Sequence, residues 1–271
     1  MGLVRTIFLF KDVMKSNTTD LKKSGFNTLI IFNIDILNNG DIKYSRSSTQ
    51  GSKDVLVASN GAYVGGDALT EKVRSFKTGD TGVNRVEISI NAENIRSLMA
   101  DPGPKPNTPL YRNFVALKRA WSLDAVNNDD EKIYDMPSTV AFAKMLGEVG
   151  YKYTTAPYEK KEFWAAVKNE VNKGLQEPLL DRVYLQCYDG GAPNVPGEWQ
   201  TTLGMKVVPH LWVTNNSKPR EGVTPAEAKA RFHSWIQKSD LAGGGYWDDY
   251  DIEDTKSSYI AYGNVLVSLF P

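Results

Sequence analysis

Leu123-Asp124-Ala125-Val126-Asn127-Asn128-Asp129-Asp130-Glu131 is the stretch whose conformation determines how the other 262 or so residues are understood. In a β-strand side chains alternate faces, so Asn127, Asp129 and Glu131 would project from one face, roughly 6.6 Å apart or less where the strand twists. Two carboxyl groups that close in a pocket cannot both ionise cheaply, so one keeps its proton near neutral pH. A retained proton beside a carboxylate suits a general acid with an electrostatic helper. The same letters also describe a solvated turn, since Asn and Asp bond their own backbone and accept left-handed conformations. A calcium loop fits less well: Asp129 stands where such a loop needs its glycine.

The composition narrows the setting. The chain has 271 residues, 41% of them hydrophobic, enough for a substantial core, and a single α/β barrel commonly reaches this size. Charges balance at 32 basic and 32 acidic residues, so neither a nucleic-acid partner nor an anionic membrane surface is expected. No apolar run approaches the eighteen or so residues of a membrane span, and Thr6–Phe10 is too short for the core of a signal peptide. A chain whose leader had been removed would read the same, and an extracellular setting is slightly favoured on that account. With one cysteine, Cys187, there is no disulfide framework, and two histidines leave little for a metal site, so no metal or cofactor is expected. Six Trp, thirteen Tyr and ten Phe offer flat faces of the kind that suit sugar rings.

Strand-like and helix-like patterns alternate along the chain. Strands are expected at Thr6–Phe10, Thr28–Ile34, Val83–Ile90, the acidic stretch, Tyr151–Ala156, Val183–Tyr188, Val207–Val213 and Gly243–Trp247. Helices are expected from Asp67 as a cap, from Thr108-Pro109 to Trp121, from Pro137, over Lys160–Leu175, from the Thr224-Pro225-Ala226-Glu227 capping box, and over Ser257–Phe270. Tyr44 to Gly66 reads as a Ser/Gly-rich loop excursion. Eight strands, most followed by a helix, with no glycine-rich phosphate loop and no dividing linker, predict one (β/α)8 TIM barrel domain over residues 1–271.

Such barrels work at the C-terminal ends of their strands. Glu131 would end the fourth strand at the mouth, Tyr188 and Asp189 the sixth, and Trp247 the eighth. Alternation points Tyr184, Gln186 and Tyr188 inward and leaves Leu185 and Cys187 against the helices, so Cys187 reads as a small buried apolar residue. His210 reads as a satisfied core histidine. Trp212 and Asn215 could face a substrate, and Glu87 and Asp35 are inward acids without an assigned role.

Asp124 to Glu131 resembles the D-x-x-D-x-D-x-E strand of glycoside hydrolase family 18, the chitinases and endo-β-N-acetylglucosaminidases. Asp124, Asp129 and Glu131 match, and the closing Asp-Asp-Glu is nearest to the endo-β-N-acetylglucosaminidase version. Gln186-Cys187-Tyr188-Asp189 resembles the sixth strand of plant-type chitinases, Thr155-Ala156-Pro157 their fifth-strand ending, and Gly243–Tyr250 their eighth strand, with Trp247 as its tryptophan. The resemblance runs from about Phe26 onward. In two places the chain departs from it: Asn127 replaces the second Asp, and Ser89-Ile90-Asn91-Ala92 stands for Ser-x-Gly-Gly.

The resemblance implies a retaining glycosidase acting on β-1,4-linked N-acetylglucosamine by substrate-assisted catalysis, an exception to the two-carboxylate scheme. It implies Glu131 as general acid, Asp129 orienting the substrate's acetamido group, and Tyr188 bonding the acetamido oxygen. Gln186, Asp189 and Asn127 would help bind the sugar, and Trp247 would form the floor beneath it. Asn127 can exchange hydrogen bonds with Asp129 but cannot accept its proton. The alternative is therefore a catalytically silent barrel of the same family, serving as a lectin or interaction module. The expected partner is an N-acetylglucosamine-containing saccharide; whether it is chitin, peptidoglycan or an N-glycan core depends on loops whose conformation the sequence does not display, and the oligomeric state is equally unread.

Overall fold

The computed structural model describes residues 2–46 and 48–271. Its strands are β1 (Val4–Leu9), β2 (Thr28–Ile36), β3 (Ile42–Tyr44), β4 (Val55–Ser59), β5 (Ala62–Tyr63), β6 (Arg85–Asn91), β7 (Ala125–Asn128), β8 (Lys152–Thr155), β9 (Leu180–Gln186), β10 (Val208–Trp212) and β11 (Gly243–Trp247). Eight of these run parallel in the order β1-β11-β10-β9-β8-β7-β6-β2, and pairing of β1 with β2 closes them into the expected (β/α)8 barrel.

The alternating pattern places outward side chains such as Ile7, Leu29, Val86, Leu185 and Leu211 in the layer between strands and helices. Burial of each such aliphatic side chain contributes about 1.5–3 kcal/mol relative to exposure. Inside the barrel the apolar set is small: Val4, Phe8, Ile30, Ala156, Tyr184 and Val208. The remaining interior is polar, and its buried acid is paired. Glu87, fully buried, accepts hydrogen bonds from Arg85 Nε at 2.6 Å, Tyr184 Oη at 2.5 Å and Thr154 Oγ1 at 2.7 Å, and Arg85 makes a two-pronged contact with Asp181. A charge so placed is tolerable only with such partners.

The helices begin where their caps dictate. Thr108 accepts from the Tyr111 N–H at the head of Pro109–Trp121, and Thr224 and Glu227 form both bonds of the capping box on Pro225–Ile236. Asp135, two residues before Pro137, caps Met136–Val149. Asp67 lies in the first turn of Asp67–Ser75, whose N-cap is Gly66.

The segment expected to be a loop is instead a sheet extension. β3 pairs antiparallel with β2, β4 with β3, and β5 with β4. Asn38-Asn39-Gly40-Asp41, readable as a turn, joins β2 to β3, and the Asn60-Gly61 pair, flanked by the paired Ser59 and Ala62, is the hairpin signal that the Ser/Gly-rich composition obscured. Among the described residues no helix is long and apolar enough to cross a membrane.

Candidate active site

The acidic stretch is strand at one end and turn at the other. β7 stops at Asn128, although the Asp129 N–H still donates to the Ile90 carbonyl at 3.2 Å. The buried Asp130 carboxylate then accepts from the N–H groups of Lys132, Ile133 and Tyr134 at 3.0, 2.7 and 2.8 Å, which winds the chain out of the strand. Glu131 therefore sits exposed on that turn and does not end the strand, a correction to the sequence expectation.

The turn nevertheless returns Glu131 to Asp129. From β9, Gln186 Nε2 donates to Asp129 Oδ1 at 3.3 Å, to Glu131 Oε1 at 3.2 Å and to the Ala156 carbonyl at 2.8 Å. One amide thus ties two carboxyl groups to the end of β8. Burial, then the charges of Glu131 and Asp130, push Asp129 up to about 8, so it keeps its proton at neutral pH. Tyr188, 9% exposed, is pushed well above its ordinary value of 10 by burial and by the carboxyl groups of Asp129, Asp248 and Glu131. It remains a phenol and a hydrogen-bond donor.

Asp129, Glu131, Gln186, Tyr188, Asp189 and Trp247 line one hollow of about 460 Å³. A second lobe of about 210 Å³, lined by Asn33, Asn91, Glu93 and Lys132 among others, shares Phe32, Asp129 and Glu131 with it, so the acids stand where the two lobes meet. Rings form the other side. Trp247 lies nearly parallel to Tyr188, at 20° with centroids 6.5 Å apart, and packs on Phe8, Phe10 and Phe32 at 5.4, 5.5 and 5.0 Å. The hollow can hold a flat, amphipathic ring against the indole while presenting acidic protons to one edge of it.

By sequence, no family model and no curated protein matches the chain. By structure, it is similar to a fungal endo-β-N-acetylglucosaminidase from glycosyl hydrolase family 18, with a TM-score of 0.64, 14% identity, and 97% of this chain and 98% of that one covered. It is also similar to an immunomodulatory active chitinase from Trichuris suis, at 0.64 with 11% identity, 99% and 100% of the two chains being covered. A third match is the family GH18 chitinase from Cycas revoluta, in a complex with allosamidin, at 0.59, 12% identity, and 99% and 100% coverage. The chain has the family 18 fold.

Against that fold, the departures can be placed. Asn127, fully buried, lies beneath the hollow and not in its wall; its Oδ1 accepts from Ser89 Oγ at 2.9 Å and its Nδ2 donates to Thr154 Oγ1 at 3.1 Å. Asn91 stands in the second lobe, with its Oδ1 accepting from the Glu93 N–H. Asp124 marks the foot of β7, held by Lys77 Nζ at 2.6 Å and the Val86 N–H at 2.7 Å. Asp189 reaches the hollow with its carboxylate paired to Lys218.

Other residues fall elsewhere. Cys187 faces the helices, and burial pushes its thiol up to about 12. His210 is not the satisfied histidine expected: both ring nitrogens are buried without a partner among the described residues, and burial lowers it to about 3, so it is neutral. Asp35 pairs with Lys43 and Ser45 in the extension. Asn215 is buried in its own turn, where its Oδ1 accepts from the Lys218 N–H. Trp212, one of the two residues that could face a substrate, lines the hollow, and so do Phe8, Phe32 and Tyr158, which the sequence reading did not single out. For Phe8, Phe32 and Trp212 the signal was available, since each has inward parity on its strand.

Proposed function

We propose that the protein is a retaining glycosidase that cleaves β-1,4-linked N-acetylglucosamine with assistance from the substrate's own acetamido group. The observation that carries this reading is the single amide of Gln186 bonded to both Asp129 and Glu131 within a hollow walled by Tyr188 and Trp247. Glu131 gives its proton to the glycosidic oxygen, and the leaving sugar departs as an alcohol. The acetamido oxygen attacks the anomeric carbon, forming an oxazolinium-like ring. Water then attacks the same carbon, Glu131 takes a proton from that water, and the ring reopens with net retention.

Asp129 accepts the acetamido N–H on its carbonyl oxygen and so holds the group in line for attack. The Tyr188 hydroxyl donates to the acetamido oxygen, and Trp247 carries the apolar face of the sugar. Fixing the nucleophile in this way removes much of the entropic part of the barrel's task. The overall likeness to chitinases and an endo-β-N-acetylglucosaminidase supports the choice of sugar at the level of the fold.

The test is hydrolysis of fluorogenic chitobiose and chitotriose by the purified chain, with Glu131→Gln as control and deacetylated substrate alongside. Turnover unaffected by the substitution, or equal on the deacetylated sugar, overturns the mechanism. One observation favours a second reading: the position below Asp129 is a neutral amide already committed to Ser89 and Thr154. Oligosaccharide binding by the wild-type chain without turnover would identify a lectin.

A further inference from the structure

We propose that Trp212 is a second sugar platform that sets the length of oligosaccharide the cleft prefers, and that Asp251 is its positioning residue; the inference rests on the carbohydrate reading above. Trp212 ends β10, lines the hollow, and is the register partner of Trp247 on β11. Neighbouring strands lie about 4.8 Å apart, close to the length of one pyranose unit, so indoles on adjacent strands can serve successive sugars. Its ring packs edge-on against Tyr188, at 61° with centroids 6.0 Å apart, so the indole continues the aromatic wall that Tyr188 and Trp247 form.

Two contacts fix the indole. Its Nε1–H donates to Asp251 Oδ2 at 2.7 Å, and the Lys218 ammonium stands 6.0 Å from the ring centroid. Lys218 also pairs with Asp189, which lines the hollow, so the ammonium holds indole and carboxylate at one rim while the half-buried indole keeps part of its surface in the hollow. Asp251 is itself held: its N–H donates to Asp248 Oδ1 at 3.0 Å, within the helix Asp249–Asp254 that follows Trp247 directly. One short helix therefore anchors both tryptophans, Trp247 by chain connection and Trp212 through Asp251. A ring locked before binding costs little entropy when a sugar stacks on it.

The experiment measures binding of chitobiose and chitotetraose to the Glu131→Gln chain by calorimetry, then adds Trp212→Ala, Trp212→Phe, Asp251→Ala or Asp251→Asn. The expected result for Trp212→Ala is a loss of about tenfold for chitotetraose, ~1.4 kcal/mol, and no more than about threefold for chitobiose. Trp212→Phe keeps a stacking face and loses less. Asp251→Ala frees the indole and weakens chitotetraose binding by about threefold, and Asp251→Asn, which still accepts the indole N–H, restores it. Equal losses at both lengths, or no loss at the longer one, overturn the platform while leaving the carbohydrate reading intact. Failure of the parent chain to bind either oligosaccharide overturns both.

Discussion

From β7 across to Gln186 on β9 the mouth of the barrel offers two acids and an amide, whereas from Tyr188 along β10 and β11 and on to β1 and β2 it offers mainly rings. The acidic side is set by hydrogen bonds: three backbone N–H groups shape the turn around Asp130, and one Gln186 amide joins Asp129 to Glu131. The aromatic side is set by packing, with Trp247 against Phe8, Phe10 and Phe32. Hydrogen bonds are directional and fail abruptly when one partner is lost, while apolar packing degrades by increments. Substitutions on the acidic side should therefore act on turnover, and those on the aromatic side on binding.

The largest expected effect is on the acidic side. Glu131→Gln should reduce turnover of fluorogenic chitobiose by about 10²–10⁴-fold while leaving oligosaccharide binding in place. Parallel losses in both assays would erase the distinction between the halves. Next, Gln186→Leu removes the donor shared by the two acids; a hydrogen bond to a charged group is worth about 1.5–3 kcal/mol, so turnover should drop by about tenfold or more. A normal rate in that variant would show that the acids hold their positions unaided.

On the aromatic side, Trp247→Ala should weaken oligosaccharide binding by about tenfold, measured by titration in the Glu131→Gln background. The smallest effect concerns stability. Asp129 holds its proton up to about 8, against 3.8 for an ordinary carboxyl, so its contribution is fully present below the lower value and is lost as pH rises through the higher one. Asp129→Asn cannot titrate, so its melting temperature should gain on that of the wild type between about pH 4 and pH 8. One kcal/mol corresponds to about 2–4 °C in a chain somewhat smaller than this one, so a gain of at least a few degrees is expected. Curves that stay parallel across that range would mean that Asp129 is ordinary.

The barrel was legible because its strands and helices carry their own signals. The Thr224 capping box and the Thr108 cap appear where the letters place them, and the inward parity of Tyr184 and Gln186 holds in the folded chain. The acidic stretch was legible as chemistry but not as geometry, because strand and turn both fit it and the chain uses each in part. What decided the boundary was the Asp130 carboxylate bonding three N–H groups ahead of it, a contact that no alternation pattern encodes. Trp212 remained undecided for a similar reason: its partner Asp251 is 39 residues away, and only the folded barrel brings them together. His210 shows the opposite failure, since mid-strand placement implied hydrogen-bond partners that its ring nitrogens lack among the described residues.

A closed barrel leaves no backbone group open for another chain to pair with, yet the run from β3 to β5 grows a ribbon sideways from β2 and so creates a free border. That border is guarded. β5 is two residues long, the Gly61 N–H is spent on Asn113, and the Tyr63 hydroxyl accepts from the Trp121 indole, which pins the ribbon to the helix Pro109–Trp121. So short and covered a margin offers a passing strand almost nothing to add on to, and the molecule keeps its extra ribbon without inviting fibre-like association.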